Sequence, residues 1–267
     1  MGIHTFGFFE NQDGGAAQQK LAALVDALSP LYKVGSTADH LVVPATHRFL
    51  VGAHAHVDAT VQPRAVLVAG SMKTRYRGRT SLEIPRLSAS AEPASPPVIN
   101  DWRANPIELD SGEELTLETI NDPVAATDQF TVLYASDGPV QAIQNPRGFW
   151  ARFTTAASAC TANTWNSRAL VASEALLKGR YQVLGGVAIS TSLIQARLNF
   201  PLGGHARPPI ASCDARADLI APMFQPGQLG VLGEFDHDSL PFVELLTDTT
   251  DNEVQVIDLF LTPVGGA

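Results

Sequence analysis

The sequence predicts an all-β protein, an antiparallel sandwich preceded by a helix and an extended arm. Three observations predict it. Short segments alternate with period 2: Ile194, Ala196, Leu198 and Phe200 fall on one side of a strand, and Gln195, Arg197 and Asn199 on the other. Clusters of Gly, Pro, Asp and Ser interrupt the chain roughly every 8–15 residues beyond Pro106. The run from Gly179 to Phe200 is rich in β-branched and aromatic residues, is broken by Gly185-Gly186 and turns at Ser190-Thr191-Ser192. That run reads as a central β-hairpin with one buried and one wet face.

Taken in order, residues 1–15 end in Asp13-Gly14-Gly15 and read as a flexible or partner-ordered arm. From Ala16 to Leu28 the pattern turns helical, with Leu21, Leu24, Val25 and Leu28 at i, i+3, i+4 and i+7 and Pro30 closing the element. So short an amphipathic helix needs something to dock on, and a neighbouring subunit is one candidate. Short strands separated by Pro44, Gly52, Pro63 and Gly70 fill residues 38–70. Arg75, Arg77 and Arg79 then make the only dense positive cluster. The Ser/Ala/Pro-rich stretch 85–97 reads as a linker, so the expected division is 1–100 for arm, helix and short strands, and 101–267 for the sandwich.

Beyond the linker, Ile107–Leu109 and Leu115–Thr119 read as a strand pair around a turn at 110–112. Further strands are expected at 130–134, 149–155, 231–235, 242–246 and 254–261, with 201–228 a long Pro/Gly-rich connection. Roughly eight to ten strands in about 160 residues fit a jelly roll, the antiparallel sandwich of two Greek keys.

Composition narrows the function classes. The net charge is −9, placed unevenly: residues 1–103 hold ten Lys/Arg against eight Asp/Glu, and 104–267 hold eight against nineteen. An acidic body argues against nucleic-acid binding, which needs clustered positive charge. The three arginines instead fit a contact with the acidic body of a neighbouring copy. Two cysteines, Cys160 and Cys213, are too few for a disulfide framework. No secretory leader, myristoylation pattern or membrane-spanning run is read, so synthesis in a cytoplasm is expected.

Motifs for catalysis are sparse. Gly227, Gly230 and Gly233 have the wrong spacing for a dinucleotide loop and read as a turn with close backbone approach at a strand start. His54 and His56 sit on one side of a strand, but the further ligands a metal centre needs are not in register with them. Asp236-His237-Asp238 reads as a turn between strands. The expectation is no enzyme, no metal and no cofactor.

Several segments carry a resemblance: Pro106-Ile107-x-Leu109-x-x-Gly112-Glu113-Glu114-Leu115-x-Leu117, Leu177-x-Gly179-x-Tyr181-x-Val183-x-Gly185, Ala196-Arg197-Leu198-x-Phe200, and Gly230-x-x-Gly233-x-Phe235. Together they resemble the jelly-roll capsid proteins of tailless icosahedral bacteriophages, over about residues 97–265. The resemblance implies a virion structural protein, a major capsid subunit made in the host cytoplasm. Its partners would be copies of itself, in a trimer or pseudo-hexameric capsomer, and other virion proteins, with membrane contact left open. The candidate subunit contacts are Leu21, Leu24, Val25, Leu28, Arg75, Arg77 and Arg79. The length also resembles that of double jelly-roll capsid proteins. Because residues 38–90 read as too short and Pro-interrupted for a second eight-stranded sandwich, one jelly roll with a clasping N-terminal segment is preferred. The alternatives from other classes are a receptor- or carbohydrate-binding spike or fibre module, and a cupin-like enzyme.

Overall fold

The computed structural model describes residues 2–12, 19–57, 65–75, 79–82, 100–119, 127–190, 193–201, 203–214, 224–248, 250 and 254–265. The chain divides into two compact units, Thr5–Pro139, and Val140–Ala267 together with Met1–His4. Both are built of strands.

The first unit holds β1 (Ile3–Gln12), β2 (Gln19–Lys20), β3 (Lys33–Val34), β4 (Leu41–Val42), β5 (Phe49–Val57), β6 (Ala65–Ala69) and β7 (Arg79–Leu82). It continues with β8 (Asn100–Asp101), β9 (Ile107–Glu108), β10 (Glu114–Thr119) and β11 (Thr127–Ser136). The one helix among the described residues, α1 (Gly70–Arg75), follows β6. One sheet runs β1-β11-β5-β8 with β9 also on β5; the other runs β3-β4-β10-β6-β7 with β2 on β10. A single core joins them: Phe6, Phe8 and Leu133 from the first sheet pack with Leu41, Leu67 and Leu117 from the second. Two apolar sheet faces closed on one another remove both from water, which is the main force holding such a unit together. Within the first sheet, Gly7 is required by the close approach of β1 to β11, since a Cβ there would lie 2.5 Å from the Thr131 carbonyl oxygen.

The second unit holds β12 (Phe149–Thr154), β13 (Trp165–Ala169), β14 (Val171–Ala172), β15 (Arg180–Ser190), β16 (Leu193–Asn199), β17 (Pro209–Asp214), β18 (Gly233–Asp236), β19 (Phe242–Thr247) and β20 (Val256–Pro263). Its pairing path, β13-β19-β16-β17-β15-β20-β12-β14, is unbroken because β15 and β17 pair in parallel, and β18 adds to β15. The sheet is therefore nearly closed on itself. Burial alternates along β20, with Ile257, Leu259 and Leu261 inside and Asp258 and Phe260 outside.

The two units share a wiring pattern. In the second, β12 pairs with β20, β13 with β19, β15 with β18 and β16 with β17, all antiparallel. In the first, β1 neighbours β11, β4 pairs with β10, β5 with β8 and β9, and β6 with β7. Each set is nested, outermost strand with outermost and innermost with innermost.

Several expectations are corrected. Of the helix expected over Ala16–Leu28, residues 16–18 lie outside the described residues and 19–28 contain no helix: Gln19 and Lys20 pair with β10, and Ala23 forms a β-bridge with Phe8. The expected arm contains β1, whose Phe6 and Phe8 are core residues. The division near residue 100 is replaced by one at Pro139/Val140, because β8 to β11 pair with strands that precede the linker. The linker itself lies outside the described residues. With that division the charge asymmetry fades: residues 5–139 carry −6, and the remainder, 1–4 with 140–267, carries −3. The preference for a single sandwich also fails, since residues 5–139 form a second two-sheet unit.

The central segment is not a hairpin, because β15 and β16 pair with other strands and not with each other. Ile107–Glu108 and Glu114–Thr119 likewise separate, to β5 in one sheet and to β4 and β6 in the other. The glycine reading holds: Gly227 and Gly230 have φ of 81° and 73°, and Gly233 opens β18 where a Cβ would meet the Phe200 ring at 2.4 Å.

Candidate functional site

Two places in the second unit depart from what a plain sandwich requires. The first is a buried ionic centre. Arg197 on β16 lies opposite Glu244 on β19, so both project from the face of the sheet turned away from Ala196, Leu198 and Leu245. Arg197 Nε donates to Glu244 Oε2 at 2.6 Å, and Arg207 Nε to Glu244 Oε1 at 3.0 Å. The Arg197 guanidinium also lies 3.9 Å from the centroid of the Trp165 ring on β13. Arg197 and Glu244 are fully buried. Arg207 donates to the carbonyls of Gly204 and Ala206, and its own N–H donates to Ile3. Both guanidiniums share the one carboxylate of Glu244. The centre pins β13, β16, β19 and the segment 204–207 together.

Period-2 alternation places Gln195 and Arg197 on a wet face, yet both are fully buried, so this strand is covered on both sides. Its signal in the sequence is only the pairing of charge types between Arg197 and a glutamate 47 residues away.

The second place is the outward face of β12-β20-β15-β18. Trp150 lies opposite Phe260, edge-on at 5.4 Å between ring centroids, and Trp150 is 50% exposed. Beside them Arg152 binds Asp258 through two bonds of 2.8 Å. Arg180 donates to Asp236 at 3.2 Å and Gln182 to Glu234 at 2.8 Å. Asp258 beside Arg152 raises its pKa, and Asp236 does the same for Arg180. The charges on this face therefore answer one another locally.

The sequence-predicted contacts scatter. Leu21 and Leu24 are buried, and Leu21 belongs to the first unit's core. Val25 is 65% exposed and Leu28 is exposed too. Arg75 ends α1 and Arg79 opens β7, while Arg77 lies outside the described residues. The structure thus splits the four apolar residues rather than gathering them on one docking stripe.

His54 accepts or donates at Nδ1 with Tyr134 Oη, 2.5 Å away, and both residues are fully buried. No group of three or more His, Cys, Asp or Glu able to hold a metal occurs among the described residues. A pocket lined by Leu184, Gly186, Ile210, Phe224 and Leu232 encloses about 10 Å³, room for a single water. No described helix is long and apolar enough to cross a membrane.

Burial pushes the hydroxyl pKa values of Tyr32 and Tyr134 well up. The unfolded chain ionises these groups near pH 10, so their contribution to stability is intact below about pH 10 and is lost as pH rises above it. In an alkaline titration, part of the tyrosinate absorbance is expected to appear only with the collapse of the far-ultraviolet CD signal. Complete, reversible ionisation near pH 10 with the CD signal intact would contradict the placement of these two side chains.

Comparison with known proteins settles no relationship: no protein-family model matches the chain, and no curated protein matches it.

Proposed function

We propose that this chain is a structural virion protein, a capsid subunit of two jelly rolls that assembles with copies of itself into a shell. The observation that carries the proposal is the wiring. Nesting of first strand with last, second with seventh, third with sixth and fourth with fifth is how a long hairpin rolls up into a jelly roll, and both units have it. The double arrangement, disfavoured by the sequence alone, therefore becomes the favoured one. Jelly rolls serve in capsids, lectins and cupins. The cupin reading draws no support from His54, whose Nδ1 is engaged by Tyr134 within a sheet.

The resemblance of the strand and turn grammar to phage capsid proteins points the same way. Rigid two-layer units joined in one chain, with exposed sheet faces, suit a wall, and catalysis is not part of the proposal. Localisation in the virion follows from this reading, as do trimeric or pseudo-hexameric capsomers. Light scattering on the purified chain tests it: oligomers in multiples of a trimer, or closed shells, are expected. A monomer that persists at high concentration, across salt and pH, would overturn it.

A further inference from the structure

β11 carries two polar side chains into the core of the first unit. Along this strand Phe130, Val132 and Tyr134 share one side, and Gln129, Thr131 and Leu133 share the other. Leu133 belongs to the hydrophobic core, as does Ala55, the residue paired with Thr131. The core side of β11 thus opens Gln-Thr-Leu where three apolar residues would be ordinary. Gln129 and Thr131 are both fully buried. Among the described residues, neither amide atom of Gln129 nor the Thr131 hydroxyl has a hydrogen-bond partner.

Three unanswered polar atoms at successive same-side positions carry a cost. Water bonds them in the unfolded chain, so burying each one bare would weaken folding on the order of tenfold. The backbone does not explain the choice of residues, because pairing with β5 is regular from Gln129 to Tyr134. Other unbonded polar atoms stand apart from one another: Trp165 Nε1 and Thr247 Oγ1 lie on opposite sides of their sheet. Gln129 and Thr131 stand together.

We infer that Gln129 and Thr131 hold a buried water molecule between them. The side-chain chemistry selects this ligand. Gln129 offers two N–H donors and a carbonyl acceptor, and the Thr131 hydroxyl takes either role. What they bind must both donate and accept, and water does so in the smallest volume. Residues two apart on a strand are separated by roughly 6.5 Å, a gap that one water bonded to both side chains closes. Ala55, opposite Thr131, presents only a methyl group where a larger residue would fill that gap. An ion would be stranded without counter-charge beside neighbours such as Leu133 and Ala55. The inference stands on the first unit alone and does not rest on the shell reading.

The test uses the full chain carrying Thr131→Val, Gln129→Leu or both, with thermal melts of the first unit. A shared water means that each single variant strands a group it was bonding, and the midpoint falls by about 2–4 °C. The double variant should then lose less than the sum of the two, since one water serves both. A midpoint that holds or rises in either single variant would overturn the inference, because removing a bare buried polar group relieves a cost. Additive losses would overturn it too, by showing that the side chains act separately. Where a variant fails to fold, a crystal structure of the wild type decides. Solvent density within hydrogen-bond reach of both Gln129 and Thr131 supports the water. A direct bond between the two side chains, or no density there, overturns it.

Discussion

Glu244→Ala is expected to destabilise the second unit by about 3–5 kcal/mol, because it leaves two buried arginines without their carboxylate. The thermal midpoint of that unit should fall on the order of 10 °C. Desolvating a guanidinium is costly, and the short bonds of Glu244 to Arg197 and Arg207 offset that cost in the intact protein. Cation–π contact with Trp165 recovers only about 1–2 kcal/mol and cannot replace a carboxylate. The contrasting variant removes all three of these charges: Arg197→Met with Arg207→Leu and Glu244→Leu. Replacing buried ion partners together by apolar residues is often neutral, so most of the lost stability should return. Urea or thermal unfolding of the two variants checks the pair of expectations. An unperturbed melt for Glu244→Ala would show that the centre is open to water.

Leu21→Ala is expected to cost the first unit about 2–5 kcal/mol, the usual result of emptying a fully buried leucine site. Val25→Ala, four residues on, should change stability by less than about 0.5 kcal/mol, since Val25 stands in solvent. A docked amphipathic helix would make the two positions equivalent, because i and i+4 share a face. Equal losses at both positions would restore the helix. Denaturant titration of each variant separates the readings.

The limits of the sequence follow from which interactions are local. Phe130–Tyr134, Phe149–Thr155 and Phe242–Leu246 are legible as strands because period-2 alternation is written within each segment. Their partners are not. A nested wiring joins Phe149 to Leu261 and Trp165 to Leu246, and nothing local to either strand specifies the match. Turn residues at 110–112 look like a hairpin turn, but there the chain crosses from one sheet to the other.

The false helix arises because Leu21, Leu24, Val25 and Leu28 have helical spacing by sequence alone. Pairing of Lys20 with Glu118 and burial of Leu21 against the first unit's core override that spacing. Phe6 and Phe8 do carry a period-2 signal, but adjacent glycines and polar residues make their segment look like an arm.

The candidate sites are legible in the same partial way. Arg197 is visible as a polar residue alternating with apolar ones, a pattern equally compatible with water or with a buried counter-ion. Only the register that sets it against Glu244 decides. Trp150 and Phe260 each sit in a recognised strand, but their meeting on one outward face depends on the non-local β12–β20 pairing.

Electron cryomicroscopy of particles assembled from this chain tests the central claim most directly. The account predicts closed particles of many copies, each of two rolled β units dividing between Pro139 and Val140. Material that forms no particles under any condition would contradict the shell reading. A single roll preceded by an extended arm would contradict the account of the fold itself.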